Sequence, residues 1–157
     1  MRAIDQLLTE YGESHQNPTN KLIHWVCVPV IFFSIFGLLR CIPFPQTLFT
    51  AQTRLSWAVL ILVAVWIYYF RLSKPLSIGF IFWGSFVYFG NEYLYETFGT
   101  TGLMIISISL FVLAWIVQFI GHGIEGKKPS FLKDLQFLLI GPAWLMRFIY
   151  EGLGFRI

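Results

Sequence analysis

Apolar and polar residues alternate at helical spacing only at the start of this chain; beyond it the apolar positions run together. From Met1 to His15, Ile4, Leu7, Leu8 and Tyr11 recur at i, i+3, i+4 and i+7, opposite Asp5, Glu10 and Glu13. That pattern predicts a short amphipathic helix lying on a membrane surface. Gln16-Asn17-Pro18-Thr19-Asn20 ends it, and Asn17 followed by Pro18 reads as the N-cap and first position of a new helix. Four apolar stretches follow: Leu22 to Leu39, Leu55 to Phe70, Leu76 to about Gly90, and Leu103 to Gly121. A helix that crosses a bilayer needs about 20 residues, within a range of about 17–25. The first and fourth stretches meet that length. The second and third need flanking residues such as Arg54, Arg71 and Tyr93, which predicts short spans or a locally thinned bilayer. A fifth stretch, Phe131 to Ile149, is interrupted by Lys133, Asp134, Gly141-Pro142 and Arg147, and reads as an interfacial or re-entrant helix pair.

Composition supports a membrane setting. Hydrophobic residues make up 57% of the chain and charged ones 12%, against about 25% charged in an ordinary soluble domain. With the N-terminus cytoplasmic and four crossings, Arg2, Lys21, Arg71, Lys74, Lys127, Lys128, Lys133, Arg147 and Arg156 share one side, and only Arg40 and Arg54 face the other. That asymmetry places both ends on the cytoplasmic side, of an inner membrane in a bacterium or the endoplasmic reticulum in a eukaryote. The expected fold is an all-α integral membrane bundle over 1–157: four transmembrane helices, an N-terminal amphipathic helix and a C-terminal interfacial or re-entrant segment. The polar start, with Arg2, Asp5, Glu10 and Glu13, is unlike a cleavable signal peptide. Cys27 and Cys41 read as buried thiols, and no basic-aromatic stripe suggests a nucleic-acid partner. The sequence assigns no oligomeric state.

The chain has three histidines, and this topology gathers them. His15 and His24 flank the start of the first span, and His122 closes the fourth, so all three belong to the cytoplasmic side. With the helix starting at Pro18, His24 lies about 9 Å into it at 1.5 Å per residue. On one continuous helix His15 and His24, nine apart, would point about 180° away from each other. The Asn-Pro break lets the chain fold back and bring them together. Imidazoles are poor neighbours for lipid and good ligands for iron or zinc, so a metal site at His15, His24 and His122 is the expectation. Each has a hydrogen-bonding side chain four residues earlier: Tyr11, Asn20 and Gln118. Such neighbours on a helix suit the partners that orient metal-bound imidazoles. Glu125 is a candidate carboxylate ligand or base, and Lys21, with Lys127 and Lys128, a candidate for steering an anionic headgroup.

The blocks that carry these residues, HQNPTNKLIHWVCVP (His15 to Pro29) and WIVQFIGHGIEGKKPSF (Trp115 to Phe131), resemble the paired signatures of the Mpo-type family, named for metabolism of phytosphingosine. The resemblance covers essentially the whole chain. It implies a multispanning helical enzyme, an Fe(II)- and O₂-dependent dioxygenase that shortens 2-hydroxy fatty acids by one carbon with release of carbon dioxide. The family's histidines fall on His15, His24 and His122, and its other motif positions on Asn20, Gln118, Glu125 and Pro129. Members commonly place the acidic residue four after the histidine; here Glu125 is three after His122, which leaves its role open. Three neutral ligands leave Fe(II) with positions for the substrate's carboxylate and hydroxyl and for dioxygen. The substrate supplies all the electrons, which matches a chain with no GxGxxG fingerprint and no P-loop.

Other classes fit less well. Membrane di-iron desaturases need about eight histidines in clustered boxes. A bis-histidine haem site needs an opposing pair deep in the bilayer. A zinc-dependent membrane hydrolase would use the same ligands with Glu125 as base, and the residues alone leave it open beside iron. A small transporter or structural membrane protein would need a polar path across the membrane. Asn91, Glu92 and Glu96 lie near the far side, with nothing polar linking them to the histidines.

Overall fold

The computed structural model describes residues 3–45, 55–126 and 137–155, and among these the secondary structure is entirely helical. The helices are α1 (Ala3–Glu13), α2 (Pro18–Cys41), α3 (Trp57–Leu72), α4 (Lys74–Glu125) and α5 (Ile140–Gly152). Lys127, Lys128, Pro129 and the first residues of the fifth apolar stretch lie outside the described residues, as does Arg54.

α2 starts where its sequence says it should. Asn17 is the N-cap, its side chain accepts from the amides of Thr19 and Asn20, and Pro18 is the first helical residue. The proline has no amide hydrogen to leave unsatisfied there. Pro29 lies inside the same helix and removes one backbone hydrogen bond from it.

α4 has 52 residues, and Gly99, at φ 68° and ψ −176°, interrupts its helical backbone. Unbroken, a helix of that length would run about 78 Å, more than twice the hydrocarbon core of a bilayer. Positive φ is accessible to glycine because it has no Cβ, and the chain folds back there. A Cβ added at Gly37 of α2 would lie 2.6 Å from Asn91 Oδ1 and 2.2 Å from Ser107 Oγ, so residues on either side of Gly99 flank one point of α2. The first limb, 74–98, also packs on α3, with Phe80 against Tyr69 at 4.8 Å between ring centroids. The second limb, 100–125, descends along α2 until Gly121 meets Asn20 and Ile23.

The third apolar stretch is therefore longer than the sequence reading allowed. Residues 91–96, beyond the expected end of that stretch, are helical. The reason is Arg40: its guanidinium forms a two-point ion pair with Glu92 and covers the ring of Tyr95 at 3.8 Å. The acidic residue is thus neutralised inside the bundle and the helix continues to the glycine. Gly37 and the Arg40–Glu92 pair tie the far end of α2 to the bend of α4.

Two helices, α2 and α4, are long and apolar enough to cross a membrane. Only 22% of the most apolar 18-residue window of α4 is buried, unlike the core helix of a soluble protein. Large apolar side chains such as Phe82, Phe86, Phe89, Leu113 and Ile120 face outward. An aqueous surface rarely tolerates so extensive an apolar face.

The N-terminal end of the chain also differs from expectation. The apolar face of α1 does not rest on lipid alone: Ile4, Leu8 and Tyr11 are buried in the main core together with Ile140, Ala143 and Trp144 of α5. Of the interfacial or re-entrant pair expected over 131–149, residues 131–136 lie outside the described residues; Phe137 is helical, Leu138 and Leu139 form a turn, and α5 runs on from Ile140. Pro142 falls in its first turn, where a missing amide hydrogen costs nothing. Tyr69 donates from its hydroxyl to the Leu139 carbonyl and Tyr150 to the Pro75 carbonyl at 2.6 Å. These bonds draw α5 under the bundle as the floor of the site.

Candidate metal centre

The structure brings the three histidines together. Ring centroids lie 4.2 Å apart for His15 and His24, 4.9 Å for His24 and His122, and 5.3 Å for His15 and His122. All three are buried, and one ligand nitrogen from each falls within 4.8 Å of the others. They come from three separate places: the turn after α1, the second turn of α2 and the last turn of α4. The Asn17-Pro18 break is what allows the first two to converge. It interrupts the helix between them, where a continuous helix would have held them on opposite faces.

Each ring's orientation is set locally. His15 Nδ1 lies 2.6 Å from the Tyr11 carbonyl and His24 Nδ1 lies 2.9 Å from the Asn20 carbonyl. A carbonyl oxygen only accepts, so in both rings Nδ1 carries the proton and Nε2 holds the lone pair. His24 Nε2 is buried without a hydrogen-bond partner. A buried acceptor left in that state costs free energy unless something binds it, and a neutral imidazole nitrogen is the commonest protein ligand for metals. The donor set and the orphaned Nε2 therefore fit a divalent metal.

The residues four positions earlier act differently from the sequence reading. Tyr11 and Asn20 orient their histidines through backbone carbonyls rather than side chains. The Tyr11 ring instead stacks on His15, 4.2 Å away and 10° from parallel. The Asn20 amide donates to the Ser14 carbonyl and to Glu125 Oε2. Gln118 is buried and lines the cavity beside the histidines. Lys21 is half-buried on α2 and does not line that cavity. Glu125 is no member of the ligand cluster. Its two carboxylate oxygens accept from the backbone amides of Gln16 and Asn17 at 2.8 and 2.9 Å. The carboxylate thus fastens the turn that follows His15 to the end of the helix that carries His122.

Gly121 lets that fastening close. A Cβ there would lie 2.5 Å from Asn20 Oδ1 and 3.2 Å from Ile23, so the second limb reaches α2 only because the residue before His122 has no side chain. Trp144 of α5, which the sequence reading did not single out, lies 5.4 Å from His15 between ring centroids and as far from Tyr11. The Gly141-Pro142 pair beside it was the available signal: a small and a rigid residue interrupting an otherwise apolar stretch. The histidines border a cavity of about 30 Å³, closed by Val28, Ile31, Trp115 and Gly141 among others. That is room for about two water-sized groups beside the rings.

Fold and site together define a helical protein with two candidate membrane spans and a buried site of three imidazoles. Residues 1–153 match the family described as "2-hydroxy-palmitic acid dioxygenase Mpo1-like", and the chain belongs to it. It is 30% identical over 152 residues to the 2-hydroxy-palmitic acid dioxygenase MPO1 of Saccharomyces cerevisiae, an alignment that covers 92% of this chain and 78% of the yeast protein. No solved structure matches the chain. These likenesses support an enzyme of the 2-hydroxy fatty acid dioxygenase class, acting in lipid metabolism.

Proposed function

We propose that the protein is an Fe(II)- and O₂-dependent membrane dioxygenase that converts a 2-hydroxy fatty acid and dioxygen into the acid one carbon shorter, carbon dioxide and water. The observation that carries this reading is the buried convergence of His15, His24 and His122 in a chain of this family. The three histidines would hold the iron through one nitrogen each. Bound there, Fe(II) supplies open positions for the substrate's oxygens and an electron-rich centre at which dioxygen reacts.

The remaining work falls to the chain. The Tyr11 and Asn20 carbonyls fix the tautomers of His15 and His24 and keep their lone pairs on Nε2. Glu125 is a positioning residue: it holds the turn after His15 against the helix of His122. Tyr11, Trp115 and Val28 help enclose the small cavity and limit bulk water, which protects reactive species from side reactions.

The same reading has four helical crossings: α2, α3 and the two limbs of α4. α3, with 16 residues, is about 24 Å long and is the short span among them. Both termini and the iron site then lie on the cytoplasmic side, supported by the nine-to-two distribution of Lys and Arg.

The test is product analysis with 2-hydroxypalmitic acid labelled at C1. Purified, iron-loaded protein is expected to release the label as carbon dioxide, leave a one-carbon-shorter acid and consume one dioxygen per substrate. Label retained in the acid, or no oxygen uptake, would contradict the reading.

A further inference from the structure

The cavity at the histidines, about 30 Å³, cannot hold an acyl chain, so a long substrate must leave its tail elsewhere. Two larger apolar grooves border α2. One, of about 360 Å³, lies between α2 and the second limb of α4, along Leu22, Val26, Val30, Leu113 and Val117, and shares no lining residue with the histidine cavity. The other, of about 480 Å³, lies between α2, the first limb of α4 and α5, and is lined by Trp25, Phe82, Phe86, Leu145 and Ile149 among others.

This second groove meets the histidine cavity. Val28 lines both, and Gly141 of the cavity is followed directly by Pro142 of the groove. The wall between them is one side chain thick at Val28. It rests on a glycine that has no room for more, since a Cβ at Gly141 would lie 3.1 Å from Val28 Cγ1 and 3.1 Å from the Tyr11 hydroxyl. Gly79 of the first limb keeps the groove deep: a Cβ there would approach the Tyr150 hydroxyl at 3.0 Å and Met146 Sδ at 3.3 Å. The outer side is open, because Phe82, Phe86 and Ile149 are more than half exposed.

The geometry points to the groove between α2, the first limb of α4 and α5 as the seat of the substrate's acyl tail, with Val28 dividing tail from reacting head. This rests on the dioxygenase reading for the identity of the ligand. A tail already dissolved in hydrocarbon gains little transfer free energy by moving into the groove. The groove therefore acts by placement: it points C1 and C2 at the histidines. The lateral opening admits the chain from the bilayer without exposing it to water.

The experiment is photolabelling of the full chain in lipid nanodiscs with a long-chain 2-hydroxy acid bearing a diazirine midway along the tail, followed by peptide mapping, with oxygen uptake measured in parallel. The expected result is label concentrated in residues 79–86 and 142–153, displaced by excess 2-hydroxypalmitic acid. In Ile149→Trp, whose indole fills the groove, that label should fall to the level found on the groove at Leu22, Val26 and Leu113. Equal label on the two grooves, or label that excess acid does not displace, overturns the proposal. Displaceable label in the groove without oxygen uptake sustains the groove and sinks the dioxygenase reading. Oxygen uptake with label elsewhere does the reverse.

Discussion

The two ends of the bundle both bury polar side chains, and they treat them differently. At the far end, the Arg40 guanidinium meets both carboxylate oxygens of Glu92 and lies over Tyr95. Charge answers charge, and the result is a tie between helices. At the near end, three imidazoles crowd together, and His24 Nε2 is left without a partner. Glu125, the carboxylate that approaches, is occupied with backbone amides rather than with the rings. Burial of polar groups is thus a poor guide to function by itself. A buried acceptor held in fixed orientation, with its partner missing, is the more informative sign.

That contrast makes separate demands on the two ends. The largest expected effect is at the near end: His24→Ala should abolish both bound metal and turnover, while the protein still purifies as a folded species, as metal analysis and gel filtration would report. At the far end, Glu92→Leu leaves the Arg40 charge largely buried and should cost about 3–5 kcal/mol of stability, seen as a drop in thermal midpoint. Iron per folded protein should be unchanged. Restoring stability with Arg40→Met in the same chain would identify the tie as structural.

Smaller effects sharpen the near end. Gly121→Ala forces a methyl group toward Asn20 and should cost about 1–3 kcal/mol, together with weaker metal retention, measured by chelator competition. Glu125→Gln keeps the size of the side chain and replaces one acceptor with a donor facing an amide. It should weaken metal binding by about 10–100-fold with little change in thermal midpoint. A Glu125→Gln protein that retains metal like the wild type would remove Glu125 from the site. The smallest effect is expected at Lys21, away from the cavity, where Ala should alter stability by less than about 0.5 kcal/mol.

Much of the near end was legible in the sequence because its signals are local or chemically conspicuous. Asn17-Pro18 announces a helix start whatever surrounds it, and three histidines stand out in an apolar chain. Their convergence followed from counting crossings. The features that escaped depend on contacts between distant residues. Arg40 and Glu92 are 52 positions apart, and without that pairing an acidic, aromatic run such as 90–96 reads as a connection. The true break at Gly99 rests on a backbone angle that composition does not encode. Likewise, nothing in the periodicity of α1 distinguishes a face resting on lipid from one packed against Trp144. The proposed orienting groups of His15 and His24 were at the right positions and of the wrong kind. A carbonyl four residues back belongs to the backbone of any helix and leaves no mark in the sequence.

Whether His15, His24 and His122 hold iron is read from the metal content of anaerobically purified protein, wild type beside His122→Ala. One equivalent of iron is expected in the wild type, and its loss in the variant. Zinc in place of iron, or equal metal in the two proteins, would contradict it.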